Sequence, residues 1–179
     1  PRYSLIEHLP YDRARTSMAR FPLCRDCAAE YTDPDNRRFH AEPIACPQCG
    51  PRLEFRAVTR AHLGSDALAA AVAALHEGKI VAVKGIGGYH LLCDAANSTA
   101  ISLLRRRKGR PHKPLAVMFP MHDDLAALRR AALLNPAQEA MLRDPIRPVV
   151  LVPKCRAGDL APEIAPGTNE IGAMLPYSP

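Results

Sequence analysis

Tryptophan is absent from this 179-residue chain, and aromatic residues make up only 5% of it. So thin a supply of rings argues against a surface built to stack nucleobases. Long apolar runs are missing too. The longest, Ala67 to Leu75, falls far short of the roughly 20 residues needed to cross a bilayer, so no membrane partner is expected. The opening PRYSLIEHLPYDR lacks the apolar stretch of a secretion signal. A disulfide scaffold is also disfavoured: four of the six cysteines stand in metal spacing and two are isolated. That usage fits a reducing compartment and predicts a cytoplasmic protein. Finally, most of the chain lacks any excess of positive charge. The formal net charge of +6 is carried entirely by residues 101–114, ISLLRRRKGRPHKP, which leave 18 bases against 18 acids elsewhere. Charge gathered in one segment with a glycine and two prolines points to an anion site rather than to general solubility.

What is present divides into two modules, because 179 residues accommodate a small module and a medium one. The first carries Cys24-Arg-Asp-Cys27 and Cys46-Pro-Gln-Cys49, two C-x2-C pairs separated by eighteen residues. Two residues between cysteines let one tight turn aim both sulfurs at one ion, and the second pair completes a tetrahedral four-thiolate shell. Zinc is the expected metal, and a filled shell makes it structural. Gly50 suits a left-handed backbone after the knuckle, and Pro47 stiffens the turn. Arg25, Arg37, Arg38 and Arg52 are near enough in sequence to offset the thiolate charge. His40 belongs to neither knuckle and is not expected to ligate. Pro1-Arg2-Tyr3 repeats the pattern of Pro51-Arg52-Leu53 after the second knuckle, which predicts that a sister finger precedes this one.

After Arg60 the pattern becomes α/β. Ser65 caps a helix over 67–77, stopped by Gly78. Lys79–Lys84 is β-branched and predicts a short buried strand, followed by the loop Gly85-Ile86-Gly87-Gly88 and a second strand over 89–94. Asn97 or Ser98 caps a helix through about Arg107. A strand over 115–119, helices near 123–132 and 136–143, a strand over 149–152, a Pro/Gly-rich loop and a last strand over 171–175 follow. Alternation of this kind predicts a sheet with helices packed on its faces, with strand order left open.

Two segments are candidate ligand sites. The glycine loop after Lys84 could bring backbone amides to a ligand, or could be a plain hairpin connection; it matches neither the P-loop nor the dinucleotide fingerprint. Arg105 to Arg107 fit a solvated helix end, where cations oppose the dipole. Lys108-Gly109-Arg110-Pro111-His112-Lys113-Pro114 presents three cations on one stiff loop and suits a polyphosphate, with Arg110 gripping two oxygens in a fork. Cys93 reads as a core residue, His90 as a satisfied core histidine, and Asp94 either orients a lysine or begins a turn. No Ser/His/Asp or Cys/His constellation stands out.

The segment FPLCRDCAAEYTDPDNRRFHAEPIACPQCGPRL resembles the second zinc finger of the HypF family of carbamoyltransferases, which mature [NiFe] hydrogenases. VAVKGIGGYHLLCDAANSTAISLLRRRKGRPHKPLAVMFP resembles the start of that family's YrdC-like domain, and IGAMLPYSP fits further along it. The resemblance implies an α/β fold, a YrdC-like twisted sheet with flanking helices, cut short and preceded by a four-cysteine finger. It implies a linker at 1–20, the finger at 21–56, a linker at 57–63 and the YrdC-like domain from 64 to 179. In such proteins the YrdC-like domain joins carbamate, derived from carbamoyl phosphate, to AMP from ATP with Mg²⁺. The carbamoyl group then passes to a HypE-type partner for cyanide ligand synthesis. The family's K-x-R motif, which contacts nucleotide phosphates, matches Lys108-Gly109-Arg110, with Lys113 beside it. Lys84 and Tyr89 match the region lining the substrate pocket. The family's Ser-x-Asn segment has no counterpart here, since Thr168-Asn169-Glu170 does not replace it. The alternative is a zinc-finger and YrdC-like module that binds double-stranded RNA, for which finger and basic loop are the support.

Overall fold

The computed structural model describes residues 4–85, 88–155 and 158–177. Ile86 and Gly87 of the glycine loop, and Pro1 to Tyr3 of the repeated motif, lie outside them. The chain forms two compact units, residues 1–70 and 71–179. Among the described residues, no helix is long and apolar enough to cross a membrane.

The first unit is built around the cysteines. Helix α1 (Arg25–Thr32) starts directly after Cys24, and a two-stranded antiparallel sheet, β1 (Glu54–Arg56) with β2 (Ala61–Leu63), follows the second knuckle. The segment before the finger is tied to it by Arg13, whose buried guanidinium donates to the carbonyls of Glu42 and Ile44 at 2.5 and 2.7 Å and of Phe21 at 2.9 Å. Thr16 and Met18 are buried alongside.

The second unit is mixed α/β. Helix α2 (Ser65–His76) leads to a hairpin of β3 (Val81–Gly85) and β4 (Gly88–Leu92), paired antiparallel with Gly85 opposite Gly88. Helix α3 (Ser98–Lys108) follows, then β5 (Ala116–Met118), α4 (Ala126–Ala131), α5 (Pro136–Arg143), β6 (Val150–Pro153) and β7 (Glu170–Met174). The main sheet has the order β5-β7-β6: β7 runs parallel to β5 and antiparallel to β6. Alternation puts Val150 and Val152 of β6, Val117 of β5, and Ile171 and Ala173 of β7 in the core. Ile101 of α3, Leu128 of α4 and Leu142 of α5 pack against them, each fully buried.

The helices start and stop for local reasons. Asn97 accepts the Ala100 amide at 2.9 Å as the cap of α3. Asn135 and Gln138 form a reciprocal capping box on α5, and the Gln138 side-chain amide also donates to the Leu151 carbonyl, joining helix to sheet. Leu125 and the two acids before it take left-handed φ values of 59, 51 (Asp123) and 48 (Asp124). There Arg143 and Arg129 join Asp124 to Glu139 in a closed ring of ion pairs.

Gly78 ends α2 at φ +74, and a Cβ there would lie 2.7 Å from the Asn97 side-chain nitrogen. Gly78→Ala therefore strains one helix end and displaces the cap of the next. We expect it to cost about 1–3 kcal/mol, read as a shift of the urea midpoint.

The hairpin departs from expectation. Lys79–Lys84 has the composition of a buried strand, yet β3 is largely exposed, with Val83 at 41%, and His90 on β4 is exposed rather than a core histidine. β-branched residues favour extended backbone whether or not a second layer covers them, and β3 and β4 form a two-stranded sheet of their own.

Candidate functional site

All four predicted ligands converge. The sulfurs of Cys24, Cys27, Cys46 and Cys49 lie within 4.8 Å of one another. Cys46 Sγ is 3.7 Å from both Cys24 Sγ and Cys49 Sγ. A disulfide would bring a pair to about 2.05 Å. A tetrahedron with metal–sulfur bonds of about 2.3 Å has edges of about 3.8 Å. The spacing fits a shared ion and excludes a bridged pair. Cys27 is the most enclosed, and burial, followed by hydrogen bonding with the Cys24 thiol, pushes its pKa up to about 12. Hydrogen bonds from the backbone of Cys46 and Cys24 draw the half-buried Cys49 down to about 6. Cys24 is the N-cap of α1 and Cys27 lies in its first turn, so one helix start carries the first pair.

Two details of the finger correct the sequence reading. Gly50 is not left-handed; glycine is needed because a Cβ would meet the Ala45 Cβ at 2.6 Å. Of the four arginines, Arg52 reaches the knuckle, donating to the carbonyls of Pro47 and Gln48 at 3.2 and 3.3 Å. Arg38 pairs with Glu30 and also interacts electrostatically with Cys27. His40 packs its ring on Tyr31 and Phe39 and stays outside the cluster.

In the second unit the anion candidates fall into two groups. Lys84 and Tyr89 face each other directly across β3 and β4, and Tyr89 is 71% exposed. Lys108 is the last residue of α3, Gly109 closes the helix at φ 59, and Arg110 and Lys113 follow on the loop. Gly109 donates to the carbonyls of Arg105 and Arg106 and the Arg110 amide to that of Arg105, so the chain leaves the helix by a fixed left-handed turn. Lys108 and Lys113 are exposed and Arg110 is half-buried. Among the described residues, no hydrogen bond or ion pair links the hairpin pair to the basic loop. Asp94 accepts the Ala96 amide at 2.9 Å and so begins the turn, while Cys93 lies against the core, its pKa raised by burial.

Sequence reasoning overlooked how the loop is held. Arg105 is buried, and its guanidinium reaches the carbonyls of Arg110, Pro111 and Lys113 on one side and of Glu163 and Ile164 on the other. Glu163 Oε1 in turn accepts from the Ser98 hydroxyl at 2.7 Å. A basic run at a helix end gives no signal of which arginine turns inward.

Residues 73–179 match the family model described as telomere recombination (Sua5/YciO/YrdC), and residues 23–55 match the HypF finger model. The carbamoyltransferase HypF of Rhodobacter capsulatus is 54% identical over all of this chain, which spans 23% of that protein. The crystal structure of T. kodakarensis HypF superposes with a TM-score of 0.85 at 44% identity, covering 99% of this chain and 23% of that one. A full-length HypF in the phosphate- and nucleotide-bound form superposes at 0.79 with 42% identity and the same two coverages. The chain thus spans about a quarter of the length of the relatives it matches. With the first of those family models covering more than half of it, the chain belongs to the Sua5/YciO/YrdC family, and it carries a segment matching the HypF finger ahead of the α/β domain.

Proposed function

We propose that this chain is the finger and adenylate-forming part of a HypF-type carbamoyltransferase. Its α/β domain would condense carbamate, released from carbamoyl phosphate, with ATP to give carbamoyl-adenylate and pyrophosphate. In the cytoplasm the longer protein would then hand the carbamoyl group to a HypE-type partner for cyanide ligand synthesis. The observation that carries this reading is the exposed cationic loop at the end of α3. It lies in a chain matched along nearly its whole length by a HypF structure in the phosphate- and nucleotide-bound form.

The chemistry asks for charge stabilisation more than for a nucleophilic side chain. A carbamate oxygen attacks the α-phosphorus, and the bond from that phosphorus to the β-bridging oxygen breaks, releasing pyrophosphate. Lys108, Arg110 and Lys113 hold the phosphates and neutralise the charge that grows on the departing group. Arg110 does so through two parallel N–H bonds, the two lysines as point charges. Lys84 and Tyr89 line the substrate side. Mg²⁺ accompanies the ATP and shares its phosphate charge. Zinc held by Cys24, Cys27, Cys46 and Cys49 would have no open position and would support the fold of residues 21–56, ahead of the YrdC-like domain over 64–179. Double-stranded RNA binding has weaker support, because the charge excess is confined to one loop and no Phe, Tyr or Trp lies between residues 101 and 118.

The test is carbamoyl-phosphate-dependent ATP–pyrophosphate exchange in the full-length protein carrying these residues. Arg110→Ala should lower kcat/KM for ATP about 10- to 100-fold, the worth of one or two charge-assisted hydrogen bonds, and Lys108→Ala somewhat less. Exchange at the full rate in both variants would falsify the assignment of the loop.

A further inference from the structure

Arg105 occupies the last turn of α3, where a cation ordinarily does no more than oppose the helix dipole. Here it is turned inward and only 7% exposed. Nη1 donates to the carbonyls of Arg110, Pro111 and Lys113 at 2.8, 3.2 and 3.0 Å. Nε donates to the Glu163 carbonyl at 2.7 Å and Nη2 to the Ile164 carbonyl at 3.1 Å. No carboxylate lies within ion-pair distance of it among the described residues; backbone oxygens meet its charge directly, and the Glu163 carboxylate attracts it from farther off. A guanidinium suits this task because its N–H groups diverge in one rigid plane and reach two chain segments at once. An ammonium offers its donors from a single point.

The other wall is fixed as well. The turn Pro162–Ile164 is held at the start of α3 by Ser98, which donates to Glu163 Oε1, and at its end by Arg105. The Leu115 amide donates to the Ile164 carbonyl at 2.9 Å, closing the far side of the loop. Residues 110–113 are thus gathered around one buried cation by their carbonyls, while the side chains of Lys108 and Lys113 stay exposed.

We propose that Arg105 is a positioning residue for the nucleotide-phosphate loop, fixing residues 110–113 in their binding conformation before ATP arrives. The proposal rests on the reading of that loop as the phosphate site. Its effect is to remove from binding the cost of ordering a glycine- and proline-containing loop, without a contact to ATP of its own.

The full-length protein again provides the test, with ATP–pyrophosphate exchange followed over a range of ATP concentrations. Thermal unfolding and amide hydrogen exchange of residues 110–115 are measured alongside. Arg105→Lys keeps a buried cation but cannot span both walls. It should raise the KM for ATP about tenfold with kcat within about twofold, and should speed exchange of the loop amides. Some global stability should be lost with the carbonyls that lysine abandons, so the kinetics are read well below the melting transition. Arg105→Gln, neutral and easier to bury, gives the same readout if the lysine variant folds poorly. Lys108→Ala and Arg110→Ala report on the loop itself. If neither weakens ATP use, the phosphate reading fails and the proposal with it. If they weaken it while the Arg105 variants leave the ATP KM unchanged, the positioning role alone is overturned. An Arg105 variant that loses global stability yet keeps its ATP KM overturns it too.

Discussion

Cys27→Ser should strip the finger of the zinc proposed for it and, with the metal, of its fold. Four sulfurs within 4.8 Å of one another cannot all be thiolates without a cation between them. Without one, buried Cys27 stays a neutral thiol, since burial holds its pKa near 12, while Cys49, at about 6, ionises. A serine hydroxyl at position 27 cannot replace the thiolate, because it neither deprotonates readily nor bonds a soft ion well. Structural zinc sites contribute about 10–16 kcal/mol at neutral pH, as much as the whole stability of an ordinary domain. The other interactions in this unit are few: an eight-residue helix, two three-residue strands and the Arg13 contacts. The unaltered chain should contain about one zinc, and a strong chelator should abolish the dispersed amide signals of residues 24–50. Cys27→Ser should show neither metal nor those signals. A metal-free sample with the finger intact would refute the structural role of the site.

Arg13→Ala should be the next largest loss. Its guanidinium, only 8% exposed, supplies the buried carbonyls of Glu42 and Ile44 and the half-buried carbonyl of Phe21. Each buried carbonyl left without a donor costs about 1–3 kcal/mol, less whatever water can enter, so a total of about 3–5 kcal/mol is expected. Arg13→Lys should recover part of it: Nη1 alone serves Glu42 and Ile44, and an ammonium there could keep both while abandoning Phe21. Ile44 stands two residues before Cys46, so the loss should also appear as weaker zinc retention in a chelator competition, because folding and metal binding draw on the same free energy. A denaturant midpoint shifted by less than about 0.5 kcal/mol would show that the clamp contributes little.

The parts legible in the sequence were those specified by chemistry within a few residues. Cysteine spacing located the metal cage because a C-x2-C turn needs nothing distant. Asn97 and Gly78 marked helix ends because caps are local, and α5 occupies the expected 136–143, although the Asn135 cap that starts it was not singled out. Strands β1 and β2 were not foreseen: at three residues each they are too short for alternation to register. The exposure of β3 and β4 escaped for another reason, since composition reports extended backbone and not what lies above it. Arg105 was the largest omission in the site. Its neighbours Arg106 and Arg107 are exposed, and only the distant Glu163 and Ile164 make position 105 different.

The central position of β7 constrains the order in which the sheet can be assembled. β5 and β6 bond to β7 and not to each other, and β7 is the last of the three to be synthesised. As the nascent chain leaves the ribosome, both flanking strands therefore emerge with open edges, and their apolar residues wait for a partner some fifty residues downstream of β5. Such late, long-range pairing slows folding and leaves an interval in which the edges can meet other chains. During that interval the chain depends on chaperones, or on the pace of translation, more than its final stability would suggest.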